Sequence, residues 1–306
     1  MIDPRLHVLR VLAERGTVTA AAEALNYTPS AVSHQLRSLA RDLAVTLLVH
    51  EGRGVRLTPA AQILVAHADE LYTRWEEMRA DVQRGSDQEL GTLRLSGFST
   101  GAAALLPYAA KTVCAQRPRL TVQIIEADPE ECFDLLLTGD ADIAVVVATD
   151  SLPPSIDPRF DQRPLLDDPL DLLVPADHRL AGWSSVPLEE AADELWIGDR
   201  PGRPHHQLVL TACASAGFTP AIVHHVAEWD TGAALVGAGF GVALVPRLAR
   251  LPSGYPVARV PLRGDPSPAR HILTAVRRGS RGQPVIAEAL RALEEVANRN
   301  RLPRLG

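Results

Sequence analysis

Apolar positions in the first quarter of the chain recur with helical spacing, and caps mark the breaks between them. Leu6, Leu9 and Leu12 predict a first helix that stops near Gly16. Thr17 or Thr19 then caps a short second helix whose Ala20, Ala21, Ala22 and Leu25 are small enough for a close crossing. After Asn26-Tyr27, Thr28 is a cap, and Pro29 suits a first helical position because its missing N–H has no intrahelical acceptor there. Val32, Leu36, Leu39 and Leu43 then fall on one stripe, predicting a helix over 28–42 with one buried face. Two short apolar strands within 47–58 flank Glu51-Gly52-Arg53-Gly54 and predict a hairpin. Thr58-Pro59 repeats the cap-plus-proline start. Leu64, Ala68, Leu71, Trp75, Met78 and Val82 follow at steps of four and three, giving an apolar seam on a long helix that ends near Gly85. Asp69, Glu70, Arg74, Glu76, Glu77, Arg79 and Asp81 are expected on its other sides, and the polar run 85–90 reads as a boundary.

From residue 91 strands and helices alternate. Strands are expected at 93–98, 121–126, 143–148, 170–174, 195–197, 222–226, 242–245, 257–261 and 271–276. Helices are expected at 102–117, 129–138, 206–216, around 231–236 and at 284–298. Continuous apolar strands such as Ile143-Ala144-Val145-Val146-Val147 are the kind that parallel sheets bury on both faces. The expected architecture is α/β: two doubly wound lobes with a crevice between them.

The polar face of the 28–42 helix carries Ser30, Ser33, His34, Arg37 and Arg41. Short hydrogen-bonding groups come first and cations follow. Laid in a major groove, the first turns of such a helix meet base edges while the arginines meet phosphate. A merely solvated helix would more often mix Glu with Lys. Arg53 at the hairpin tip and Arg56 beside it can reach the backbone or minor groove. Helix, helix, reading helix and hairpin together make a winged helix-turn-helix. The overall charge of −6 does not advertise a polyanion partner. Residues 1–58, however, hold seven arginines (5, 10, 15, 37, 41, 53, 56) against five acids, so the basic bias sits where the groove-reading elements sit.

Residues 1–85 resemble the amino-terminal domain of LysR-type transcriptional regulators. The resemblance rests on the run Thr17 to Leu25, on Ser30-Ala31-Val32-Ser33-His34-Gln35-Leu36, on Arg53, and on Leu57-Thr58-Pro59-Ala60. The family often has Gln where Pro29 stands, Leu-Glu where Leu39-Ala40 stands, and Phe-x-Arg where Leu48-Val49-His50 stands. The resemblance therefore carries groove contacts to Ser30, Ser33, His34 and Arg37, with Thr28, Arg41, Arg53 and Arg56 beside them. The later half resembles the family's effector domain through Gly91 to Leu95, Leu106-Pro107, Leu137 to Ala144 and Gly239 to Pro246. What it implies is a winged helix-turn-helix over 1–58, a linker and dimerisation helix over 59–86, and a periplasmic-binding-protein-like effector domain over 87–306. Its first lobe would be 91–163 with 268–306, and its second 164–267. Pattern and resemblance together predict that the seam pairs with a second copy, as homodimer or homotetramer, so that two heads read a two-fold site on double-stranded DNA.

A small-molecule effector of anionic character is expected between the lobes. Ser99, Thr100 and Gly101 follow the first strand and open a helix, where free N–H groups and two hydroxyls suit a carboxylate. Across the crevice Asp199-Arg200 offers an anion clamp, Trp229 a stacking surface, and Asp230-Thr231 a helix start.

Other chemistries are weaker. Cys114, Cys132 and Cys213 are odd in number and show neither a disulfide framework nor zinc spacing. A redox-responsive regulator using Cys132 or Cys213 is the alternative, and an enzyme fused to a DNA reader a further one. Asp140-x-Asp142 reads as a solvated turn, and His205-His206 and His224-His225 cannot chelate as adjacent strand residues. Gly237 to Gly241 lacks dinucleotide spacing. No cofactor, metal or catalytic residue is expected. Met1-Ile2-Asp3-Pro4 runs straight into the first helix and no apolar run reaches the ~20 residues of a membrane span, so a cytoplasmic protein is expected.

Overall fold

The computed structural model describes residues 2–51, 54–85, 91–264 and 267–300. Arg53 and the run 86–90 lie outside them. The head begins with α1 (Pro4–Arg15), capped by the Asp3 carboxylate and closed at Gly16, whose φ of 72° needs glycine. Then come α2 (Val18–Ala24), capped by Thr17, and α3 (Pro29–Asp42), capped by Thr28. Asn26, at φ 53°, makes the tight turn between them. Strands β1 (Leu48–Glu51) and β2 (Gly54–Leu57) form the hairpin, pairing Leu48 with Leu57 and Val49 with Arg56. Val32, Leu36 and Leu39 are buried against Leu9, Leu12, Ala21 and Ala22, as the stripe requires. Leu43 is not: it lies past the last turn and is 46% exposed, so the stripe ends at Leu39.

Thr58 caps α4 (Pro59–Arg84), whose 26 residues rise about 39 Å at ~1.5 Å each. Two expectations for this helix are corrected. Ala68 is fully buried within the chain and Leu64 packs on the head's own core, so both seam members face inward. Glu76, placed by its charge on an outer side, is 5% exposed. It receives hydrogen bonds from Arg277 Nε (3.0 Å) and Gln283 Nε2 (2.6 Å), which no local pattern announces.

The body runs β3 (Gly91–Gly97), α5 (Ser99–Ala104), α6 (Leu106–Gln116), β4 (Leu120–Glu126), α7 (Pro129–Thr138), β5 (Ile143–Val147), β6 (Phe160–Pro175), β7 (Val186–Pro187), β8 (Leu195–Gly198), α8 (Pro204–Ser215), β9 (Ala221–His225), α9 (Trp229–Gly237), β10 (Ala243–Pro246), β11 (Val257–Arg263), β12 (Ala269–Arg277) and α10 (Pro284–Asn300). The single helix expected over 102–117 is two, broken at Leu105 (φ −117°) just ahead of Pro107, which has no N–H to continue the ladder. The strand expected at 170–174 is the far end of β6, which begins at Phe160. β6 pairs with β12 as far as Pro169 and with β10 and β11 from Leu170 onward. One strand therefore serves both lobes, and the expected division at 163/164 falls inside it.

The first lobe orders β4-β3-β5-β12-β6, with β3 parallel to both neighbours. The second joins β10, β11 and β7 to the far end of β6 and adds the separate pair β8–β9. Each lobe has its own core, one around Leu95, Leu106 and Leu293, the other around Leu172, Trp196 and Leu244. The head's core is continuous with the underside of the first lobe, through Phe133, Leu136 and Phe160. Arg10–Asp69 (2.5 Å), Arg15–Asp134 (2.7 Å) and Arg159–Glu14 lie along this junction. No helix among the described residues is long and apolar enough to cross a membrane.

Candidate functional site

The exposed face of α3 is built by the cap at its start. Thr28 Oγ1 accepts from the Ala31 amide at 3.2 Å and lies 3.0 Å from Ser30 Oγ, so its capping oxygen is already engaged. Ser30, His34, Arg37 and Arg41 are exposed and Ser33 is half-buried beside them. Among the described residues, Arg37 and Arg41 have no ion pair, which leaves both guanidinium groups available to phosphate. Arg56 is partly committed, donating to Glu51 at 3.2 Å across the hairpin. Two neighbours escaped the sequence reading. Tyr27 is 48% exposed just before α3. Arg5 reaches from α1 to Ser38 Oγ (3.1 Å) and Asp42 Oδ2 (2.5 Å), fixing the far end of α3. Neither had a periodic signal, since one is a turn residue and the other acts between helices.

On the outer side of α4, Leu71, Trp75, Met78 and Val82 are exposed, at 36–66%. Ile63, at 62%, takes the place expected of Leu64. Spaced at helical intervals, these side chains make an uncovered apolar stripe on one face while the opposite face packs on the chain itself.

In the body, Thr100 and Gly101 are buried and Ser99 is exposed. A Cβ on Gly101 would lie 2.9 Å from the Phe98 ring, so glycine is required by close approach. Thr100 Oγ1 accepts from both terminal nitrogens of Arg270, each at 3.3 Å. Arg270 lies on β12, is itself buried, and pairs with Asp168 Oδ2 on β6 at 2.6 Å. Asp168 Oδ1 in turn accepts from the Leu248 amide at 3.0 Å. Thr100, Arg270 and Asp168 therefore meet at the strands that join the lobes. Desolvation of the buried guanidinium lowers the Arg270 pKa from its ordinary value, against the raising effect of Asp168. Arg270 was missed because its partners are far away in sequence; the visible trace was a cation beside apolar strand residues.

On the second lobe Asp199 and Trp229 line one cavity of about 30 Å³ together with Ile197, Gly198, Val226 and His205. The other predicted residues do not join them. Arg200 is exposed, and its amide, not its guanidinium, bonds the Asp199 carboxylate (2.7 Å). Asp230 is exposed and held by Tyr255 Oη at 3.3 Å, while Thr231 is exposed inside α9 and does not cap it, the N-cap being Glu228. Arg203 crosses the crevice instead, 3.5 Å from Asp128 on the first lobe. Arg250 also spans it, donating to Tyr108 Oη at 2.6 Å.

His205, set aside in the sequence as half of an adjacent pair, occupies the cavity wall. Its Nε2 donates to the Leu244 carbonyl (3.1 Å), its ring meets Trp229 edge-on at 4.9 Å, and its Nδ1 is buried without a partner. Burial, reinforced by the Arg270 charge, pushes its pKa down to about 4, so the ring is neutral at pH 7. His206 and His225 both donate through Nδ1 to the Asp199 carbonyl, at 3.0 and 3.2 Å. Asp142 accepts from the Arg94 amide (2.9 Å) and from Arg277 (3.1 Å), a structural use of the Asp140-x-Asp142 pair. Cys132 and Cys213 are fully buried, and desolvation pushes their thiols up to about 11 and about 12. A sensing thiol works as an accessible thiolate, which these environments oppose.

Residues 4–62 match the family model described as bacterial regulatory helix-turn-helix protein, lysR family, and residues 86–298 match the LysR substrate binding domain. The chain is 27% identical over 274 residues to the uncharacterized HTH-type transcriptional regulator YcgK of Bacillus subtilis (strain 168), covering 84% of this chain and 83% of that protein. It is 28% identical over 295 residues to the probable hydrogen peroxide-inducible genes activator of Streptomyces viridosporus, covering 95% and 93%. Among solved structures, full-length OxyR from Pseudomonas aeruginosa aligns with a TM-score of 0.64 at 23% identity, covering 94% of this chain and 93% of that one.

Proposed function

The chain belongs to the LysR family of DNA-binding transcriptional regulators, and on that premise we propose how its own residues divide the work. Ser30, Ser33, His34 and Arg37 on α3 read base edges in a major groove. Arg41, with Arg56 and Arg53 of the hairpin, holds phosphate. The stripe Ile63, Leu71, Trp75, Met78 and Val82 on α4 pairs with a second copy, so that two heads address a two-fold site. A small anionic effector enters between the lobes and touches Thr100 on one side and Trp229 on the other. By favouring one angle between the lobes it favours one spacing of the heads.

The observation that carries this reading is the polar face of α3, where Arg37 and Arg41 have no ion pair among the described residues, on a helix whose other face is locked into the head's core. The buried, neutral thiols weigh against the redox alternative. A footprint on the DNA upstream of the protein's own gene tests the reading. Two protected half-sites related by a two-fold axis, one or more helical turns apart, are expected. Uniform protection, or one isolated half-site at all protein concentrations, would contradict it.

A further inference from the structure

We propose that α7 relays the state of the crevice to the reading head, and that Asp134 and Arg159 are the positioning residues through which the head feels it. The inference rests on the reading that α3 binds DNA, and it goes beyond that reading by naming the joint that carries the coupling.

The placement of α7 follows from the order of the sheet. β4 and β5 both run parallel to β3, so α7 returns from the end of β4 at the crevice to the start of β5 at the underside of the first lobe. Its ten residues rise about 15 Å at ~1.5 Å each. At the crevice end Asp128 stands before the first turn, 3.5 Å from Arg203 of the second lobe. At the underside the same helix meets α1 of the head. Asp134 pairs with Arg15 at 2.7 Å, and Arg159, just ahead of β6, pairs with Glu14.

The charges across this joint are reciprocal. The head offers Glu14 and Arg15, and the lobe answers with Arg159 and Asp134. Such a set fixes the register of one surface on the other, because a slip by one residue brings like charges face to face. Arg159 is held in place by its own lobe: it donates to Asp157 from Nε at 3.0 Å and from a terminal nitrogen at 2.8 Å, and it lies 5.3 Å from the Phe160 ring. Phe133 and Leu136 of α7 share one buried cluster with Leu9 and Leu12 of α1, so the two helices are joined by apolar contact as well. The four charged side chains remain partly exposed, and the joint can therefore loosen without stranding a charge in the interior. The outer face of α3 stays exposed while the head is docked, so docking sets the head's position and leaves its DNA face open.

Coupling is reciprocal: if the crevice acts on the head through α7, then DNA on the head acts on α7. The test is amide hydrogen exchange read by mass spectrometry on the full-length protein, free and bound to the footprinted fragment. DNA is expected to slow exchange in α3 by contact and in α7, which touches no DNA, at least threefold. Asp134→Arg sets like charge against Arg15 and should abolish the slowing in α7 while α3 stays protected; Arg15→Asp combined with Asp134→Arg should restore it. Arg15→Ala, the milder change at a partly exposed side chain, should also lose the slowing, so the outcome does not depend on the fold of the charge-reversed variant. At the crevice end, Arg203→Ala should change the affinity for the fragment at least threefold in the wild-type background and leave it unchanged in the Arg15→Ala background. Slowing confined to α3 in the wild-type protein overturns the relay and leaves the DNA reading standing. Slowing in α7 that survives both Asp134→Arg and Arg15→Ala overturns it too, as does an affinity that ignores Arg203→Ala in the wild-type background. If α3 itself is not protected, the DNA reading and the relay fall together.

Discussion

Single residues show how far burial can overrule local pattern. Thr100 was legible, because a hydroxyl after a strand and before a helix is a recurrent place for a ligand. Arg270, which grips it, was not, since nothing in a sequence ties position 100 to position 270. His205 was read only as one of an adjacent pair, yet its neighbours came from strands and helices that the pair itself cannot reveal. Two histidines also make a thermodynamic prediction. Burial holds both His7 and His205 down to about 4. For His7 the charges of Arg10 and Arg277 add to the burial effect, against Asp140. In the unfolded chain both titrate near 6.5, so between about pH 6.5 and 4 the unfolded state binds more protons than the folded one. Stability is therefore full above that window and is lost as pH falls through it. The melting temperature should drop from pH 7 to pH 5, with a shallower slope in His7→Leu; identical slopes in the two proteins would remove His7 from the account.

Among the elements, α4 carries the clearest lesson. Its length, cap and apolar seam were legible from spacing. Its rotational phase was not, because the head's core takes Leu64 and Ala68, and a distant strand and turn take Glu76. The two faces make opposite predictions. Leu71→Glu with Trp75→Glu places charge on the exposed stripe and should dissociate the oligomer in sedimentation while leaving the melting temperature within a few degrees. Ala68→Glu buries an unpaired charge and should destabilise the fold by about 3 kcal/mol or more. The reverse pattern would mean that the stripe is not a pairing surface. β12 also gains meaning from its ends. Arg270 meets Thr100 at one end and Arg277 meets Glu76 of α4 at the other (3.0 Å), about 23 Å apart at ~3.3 Å per residue. A change at the crevice therefore has a stiff path to α4.

Across the whole molecule, the order of helices, hairpin and alternating strands was readable because each element is locally consistent in period, caps and turns. The long-range geometry was not. β6 continues from one lobe into the other, and the head docks on the underside of its own first lobe, through contacts between residues far apart in the chain. Sequence recognition nonetheless falls to a small area, the outer face of α3. Fluorescence anisotropy at moderate salt, on the footprinted fragment and on its shuffled counterpart, tests it most directly. The wild-type protein should prefer the true fragment, and Ser33→Ala with Arg37→Ala should cut that preference at least tenfold, since a good base-edge contact is worth about 1–3 kcal/mol. An undiminished preference in the folded double variant would contradict the claim that this helix reads the sequence.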